Sequence, residues 1–323
     1  MKQAVSLHWD SASRTHVGTV RKLNEDSVLE RPDRGLWAVA DGMGGHAAGD
    51  FASAAVVNAL NSITAPASLG ALVGDVRQQL QAVNHALSEE ARRRGQELIG
   101  STVVVLLLFG AHAVVLWAGD SRAYLYREGE LKALTRDHSQ VEEFVSLGLI
   151  TRAQAEGHPA SNIITRAVGG QADLNLDVAI FDVRAEDTFL LCSDGLYREV
   201  NPTTLQFELH GEALDDVAES LLEVFPPPGG GHVPRPAADP AKAAHDRLHR
   251  RQAAAEKGRP GSGSGPVGAM PGGSATDPPP LPPDLEPPSG TGGSSGIPIS
   301  GGISGITISG RFLPPTPGLK TKL

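Results

Sequence analysis

The chain has 323 residues and a single cysteine, Cys192. One thiol excludes an internal disulfide framework and any cysteine-based zinc site, and it suits a reducing compartment. Aromatic residues are few, at 4 %. Basic charge is scarce where it would matter for nucleic acid. Residues 1–225 hold 18 Lys+Arg against 31 Asp+Glu, a balance of −13, and residues 226–323 hold 10 against 6, or +4, which sum to the −9 of the whole chain. Nucleic-acid affinity rests on Lys and Arg, so an acidic domain points elsewhere, toward ordinary solubility or a site built from carboxylates around cations. The N-terminus, MKQAVSLHWD, lacks the apolar core of a signal peptide. No run is long enough for a membrane span either. The nearest, STVVVLLLFGAHAVVLWAG over 101–119, is interrupted by Gly110 and His112 and reads as two buried strands joined by a tight turn. A cytoplasmic monomer is expected.

Proline is nearly absent from the first part and crowded into the second, with 20 of 24 prolines lying in 226–323. Two regions follow: a folded domain over 1–225, and a Pro/Gly/Ser-rich tail over 226–323 with too few large apolar residues to bury a core. Only 241–257 in the tail has the pattern of a short charged helix. Within 1–225, short apolar runs predict strands near 36–40, 102–109, 112–118, 121–127, 174–182 and 187–192. Residues 47–62, 70–94 and 213–225 read as helices. Leu72, Val76, Leu80, Val83 and Leu87 form a one-sided apolar stripe on the second of these. Gly129 marks a hairpin turn in REGELKAL. Paired strands with helices at intervals predict antiparallel sheets covered by helices, an α+β class.

Three aspartates share one local pattern: an apolar strand, a small residue, Asp, then Gly or Ser. They are Asp41 in WAVADGMGGHAAGD, Asp120 in WAGDSRAYLYR and Asp194 in FLLCSDGLYREV. Glu25 and Asp26 stand together in RKLNEDS, four residues after Arg21. A carboxylate at the end of a core strand is costly without a partner, and neighbouring carboxylates repel unless a cation lies between them. Hard oxygen donors suit Mg²⁺ or Mn²⁺. Two such ions about 4 Å apart can share a hydroxide and clamp a phosphoryl group. Arg21, with its fork of donors, matches phosphate oxygens. The glycines after Asp41 also fit a plain turn.

The segments GTVRKLNEDS, WAVADGMGGHAAGD, STVVVLLL, LWAGDSRAYLYREGELKALTRDHSQV, NIITRAVGG and LLCSDGLYREV, in this order over residues 8–200, resemble the bacterial form of the metal-dependent protein serine/threonine phosphatases, the type 2C (PPM) family. The resemblance implies a four-layer α/β/β/α sandwich of two antiparallel sheets flanked by helices. It implies two Mn²⁺ or Mg²⁺ ions and a weaker third. Asp41 would bridge both ions, Gly42 would offer its carbonyl to one, and Asp194 would bind the other. Glu25 and Asp26 would hold ion-bound waters, Arg21 would grip phosphate, and Asp120 would serve the third ion. Substrates would be phosphoproteins, the targets of a bacterial Ser/Thr kinase. Residues 140–160 resemble the family's flap, which lies beside the site and helps select substrates.

Met43 stands where some family members carry a His proposed as general acid, and a Met cannot donate a proton. His46 reads as a loop residue. In TRDHSQ, Asp137 and Ser139 are expected in turn and capping roles beside His138. Cys192 reads as a buried inert thiol and Arg166 as structural. One family feature is lacking: the chain contains no Asp-Asn pair. The closing apolar strand that should follow it is also expected to be absent. The composition changes abruptly after Phe225, as a frameshift or truncation would leave it. Asp239 and Asp246 lack the setting of a strand end. A catalytically impaired module that binds phosphoproteins is therefore a second expectation.

Overall fold

The computed structural model describes residues 8–17, 23–45, 48–155, 157–210, 213–222 and 305–313. Arg21 and His46, the expected helix over 241–257, and Asp239 and Asp246 lie outside them.

The run VVVLLLF shows how the core is made. Residues 103–108 are all buried. In a strand, alternate side chains face opposite sides, so a continuous apolar run is a strand covered on both faces. This strand is β5 (Val103–Phe109), and β6 (His112–Ala118) returns beside it after a tight turn. With β2 (Asp26–Arg31), β3 (Leu36–Met43) and β9 (Asp177–Asp182) they form an antiparallel sheet in the order β2-β3-β5-β6-β9, and the short β4 (Gly100–Ser101) pairs with the end of β3. The second sheet holds β1 (His8–Thr15), β7 (Arg122–Arg127), β8 (Glu130–Ala133), β10 (Thr188–Cys192) and β11 (Gly305–Leu313), in the order β1-β11-β10-β7-β8.

Alternation sorts the side chains into layers. Val104, Leu106 and Leu108 of β5 and Val115 and Trp117 of β6 meet Leu125, Phe189 and Leu191 of the other sheet. Val103, Val105 and Leu107 point the other way, under α1 (Gly49–Asn61) and α2 (Leu69–Arg94). The predicted stripe Leu72, Val76, Leu80, Val83 and Leu87 is the buried face of α2. Ser68 caps that helix by accepting from the Ala71 amide, and Gly95 ends it in the left-handed conformation at φ 66°. On the outer face of the second sheet, Tyr124, Tyr126, Leu190 and Cys192 pack against Leu196, Leu205, Val217 and Leu221. Those leucines and valine come from α5 (Asp194–Glu199), α6 (Pro202–Leu209) and α7 (Leu214–Leu222). Each fully buried leucine contributes roughly 1.5–3 kcal/mol. Two short helices, α3 (Gln140–Ser146) and α4 (Arg152–Ala155), lie in the segment expected to be the flap. Among the described residues, no helix is long and apolar enough to cross a membrane.

The expected loss of the closing strand is corrected. β11 occupies an interior place in the second sheet, antiparallel to β1 on one side and to β10 on the other. The strand comes from the tail, beginning 83 residues after α7 ends (305 − 222). Its sequence, GITISGRFL, carries three consecutive β-branched residues, Ile306, Thr307 and Ile308, as a strand favours. Its setting within a Ser/Gly/Ile repeat gives it the appearance of low-complexity sequence.

Candidate functional site

The strand ends place the acidic residues. Asp26 and Asp41 are direct partners across β2 and β3, and directly opposed residues of an antiparallel pair share a face. The backbone of Asp41 is fixed from the β5 side. Its amide donates to Thr102 Oγ1 at 3.1 Å, and its carbonyl accepts from the Thr102 amide at 2.8 Å and from Ser101 Oγ at 3.1 Å. Ser193 Oγ donates to Asp26 Oδ2 at 3.0 Å. That contact draws the end of β10, and Asp194 beyond it, to the same end of the sandwich.

The glycines resolve into two close approaches. A Cβ on Gly42 would lie 1.8 Å from the Gly49 carbonyl oxygen. A Cβ on Gly49 would lie 2.4 Å from Glu25 Oε1 and 2.8 Å from the Gly42 carbonyl oxygen. Gly49 thus leaves a small space flanked by a carboxylate and a backbone carbonyl, both hard oxygen donors. The Gly42 amide also donates to the Glu25 carbonyl at 2.9 Å.

Asp120, at the end of β6, and Asp194, the first residue of α5, are both buried. Burial, then the charge of Asp194 and that of Asp137, push the Asp120 carboxyl up to about 7. One cation faces both. Arg198 Nε lies 3.1 Å from Asp194 Oδ2, and its Nη2 lies 3.9 Å from Asp120 Oδ2. Its Nη1 donates to Asn162 Oδ1 at 2.5 Å, two residues beyond the segment expected to be the flap. Below them Arg122 makes a two-point bond to Asp137, at 2.9 and 2.7 Å, and lies 3.5 Å over the Tyr197 ring.

Among the described residues, no three His, Cys, Asp or Glu side chains are gathered closely enough to hold an ion as they stand. The donors come in twos: Asp26 with Asp41, Glu25 with the Gly42 carbonyl, Asp120 with Asp194. This set fits a hard divalent cation that keeps several of its waters, as Mg²⁺ does. Opposed like charges at Asp26 and Asp41, and a carboxyl pushed up at Asp120, are what such a cation would relieve.

Other expected residues take structural places. Met43 ends β3. Ser139 caps α3 through the Glu142 amide, and Asp137 holds Arg122. Arg166 donates to Asp177 Oδ1 at 2.6 Å. Burial pushes the Cys192 thiol up to about 12, so it stays a thiol. Three participants carry no mark in the sequence that singles them out: Gly49, Ser193 and Arg198. Arg198 has one faint signal, its position one helical turn after Asp194.

Two antiparallel sheets between helical layers, with paired carboxylates at one end, define the class. The family model for protein phosphatase 2C matches residues 14–226. The chain belongs to the protein phosphatase 2C family. It is 36 % identical over 227 residues to the serine/threonine protein phosphatase PstP of Mycobacterium tuberculosis, covering 70 % of this chain and 44 % of that protein. It therefore spans under half the length of that relative. The solved structure of PppA, described as a key regulatory component of T6SS in Pseudomonas aeruginosa, is 46 % identical, with a TM-score of 0.63, covering 68 % of this chain and 91 % of that one. The catalytic domain of PstP in complex with 2 manganese ions is 34 % identical, with a TM-score of 0.62, covering 68 % and 92 %.

Proposed function

We propose that this chain removes phosphate from serine and threonine side chains of proteins, using two Mn²⁺ or Mg²⁺ ions and a weaker third. The observation that supports this is that three pairs of oxygen donors, Asp26 with Asp41, Glu25 with the Gly42 carbonyl, and Asp120 with Asp194, lie at strand ends of a protein phosphatase 2C sandwich. Bound divalent cations would supply a more acidic water as nucleophile and would neutralise phosphoryl charge. In this reading Asp41 and the Gly42 carbonyl hold the first ions, with Glu25 and Asp26 orienting water beside them. Asp194 holds the partner ion, and Asp120 with Asp194 takes the third. The carboxylates would take the proton from the attacking water as its oxygen bonds phosphorus. The ester P–O bond would break, and the serine or threonine oxygen would leave as a hydroxyl, protonated by a water held at the site. Arg21 would bind the phosphoryl oxygens. Cys192 takes no part, because a neutral thiol is a poor nucleophile.

The catalytic domain is residues 1–225 with β11 added from the tail, acting as a cytoplasmic monomer opposite a bacterial Ser/Thr kinase. The test is hydrolysis of p-nitrophenyl phosphate and of a phosphothreonine peptide with and without Mn²⁺. Manganese-dependent turnover of both, lost in Asp41→Asn, is expected. A second reading, a phosphoprotein-binding module with little turnover, rests on the lack of an Asp-Asn pair. No turnover at any Mn²⁺ concentration by a folded chain that still binds the phosphopeptide would favour it.

A further inference from the structure

We infer that His138 is a positioning residue, which clasps Gly119 from two sides and so sets the loop that carries Asp120. The inference rests on the proposed role of Asp120 toward a divalent cation. The clasp is two hydrogen bonds to one residue: the Gly119 amide donates to His138 Nδ1 at 3.1 Å, and the His138 amide donates to the Gly119 carbonyl at 2.9 Å. The ring is held in place by stacking on Trp117, at 6.1 Å between centroids and 9° between planes. Trp117 is itself anchored by its indole N–H on the Arg136 carbonyl at 2.8 Å. Because Nδ1 accepts, the proton of the neutral ring sits on Nε2. Nε2 lies 3.2 Å from Asp177 Oδ2, and Arg166 holds the other oxygen of Asp177.

Gly119 has little freedom on its other side. Its φ is +115°, and a Cβ there would lie 2.6 Å from Thr102 Cβ. Thr102 Oγ1 is 2.7 Å from Ser121 Oγ and accepts from the Asp41 amide. The turn Gly119–Asp120–Ser121 is thus wedged between His138 and the same threonine that supports Asp41. A carboxylate that is buried and faces another carboxylate gains most from a fixed backbone, because it cannot relax into water. The charged and titratable groups facing the ring are Asp177 on β9, Arg166 and Asp137, and burial, the largest influence, lowers the ring's proton affinity.

Two substitutions separate the two ends of the ring. In His138→Asn, Oδ1 can stand where Nδ1 stands and accept from Gly119. In His138→Gln, the amide reaches toward Asp177 and leaves the Gly119 amide without its acceptor. Two measurements are made on each full-length chain: amide exchange at Gly119 without metal, and Mn²⁺ affinity by calorimetry. In the wild type and the Asn variant, Gly119 exchange is protected and Mn²⁺ affinity agrees within about threefold. In the Gln variant, protection is lost and affinity for the weaker ion falls about 10–100-fold, the usual effect of an outer-shell partner. Equal behaviour of the two variants overturns the inference. A wild type that binds no Mn²⁺ overturns the proposed function, while Gly119 exchange still tests the clasp. Should neither variant fold, the ¹⁵N shifts of the wild-type ring decide: a protonated Nδ1 overturns the assignment and a bare Nδ1 supports it.

Discussion

β10 is flanked by two buried aspartates, Asp187 just before it and Asp194 two residues after it, and the two are treated in opposite ways. At its start Asp187, fully buried, takes both oxygens to Arg127 at 2.6 Å each and accepts from the Arg184 amide at 2.7 Å. The charge is balanced from within the chain. Beyond its far end Asp194 lies close to Asp120, with Arg198 set off to the side at 3.1 and 3.9 Å. On the other sheet, at the same end, Asp26 stands opposite Asp41. The same residue type on the same sandwich is thus bonded to an arginine at one end and placed beside its own kind at the other. Carboxylates brought side by side in this way are the physical mark of a candidate site for a cation.

The comparison can be broken from either end. The largest effect is expected at the balanced end. Arg127→Ala should strand Asp187 and cost about 3 kcal/mol of stability in denaturant unfolding, the low end for a broken buried pair because the Arg184 amide remains. A loss under about 1 kcal/mol would show that Asp187 is not held as described. At the crowded end, Arg198→Ala removes a cation that competes for Asp120 and Asp194. Mn²⁺ affinity at the weaker site should tighten about tenfold, in line with the one or more pKa units that an adjacent opposite charge is worth. Weaker binding in calorimetry would instead make Arg198 a support for the ion. Asp41→Asn relieves the opposition to Asp26, so the metal-free chain should gain up to about 1 kcal/mol of stability while losing activity. A destabilised metal-free variant would contradict the crowding. Smallest, Glu128 sits at φ 52° in the β7–β8 turn at the balanced end. Glu128→Gly should raise stability by about 1 kcal/mol at most, since glycine adopts that conformation without penalty. An unchanged melting temperature would mean that the turn carries no strain.

Much of this architecture is legible in the sequence. The buried runs at 102–109 and 112–118 and the stripe from Leu72 to Leu87 follow from apolar periodicity alone, because burial on one or both faces leaves a direct pattern. The pairing of Asp26 with Asp41 is not legible, since register is a property of two strands and β2 (DSVLER) has no apolar run to announce it. Gly49 is equally silent: its role is to be absent from a space that Glu25 and Gly42 reach from elsewhere. β11 shows a different limit. Alternating Ile and Thr favour a strand, yet nothing local says that a stretch so far beyond α7 inserts between β1 and β10. Which carboxylates gather is encoded in strand ends. How they are supported, by Ser193, Thr102 and Arg198, is encoded in contacts between segments distant in sequence.

The most direct measurement is the number of Mn²⁺ ions bound per chain, by calorimetry on the wild type and on Asp41→Asn. Paired carboxylates at one end of the sandwich predict at least two ions in the wild type and loss of the tight ones in the variant. Equal, undiminished binding by the two proteins, or none by a folded wild type, would contradict it.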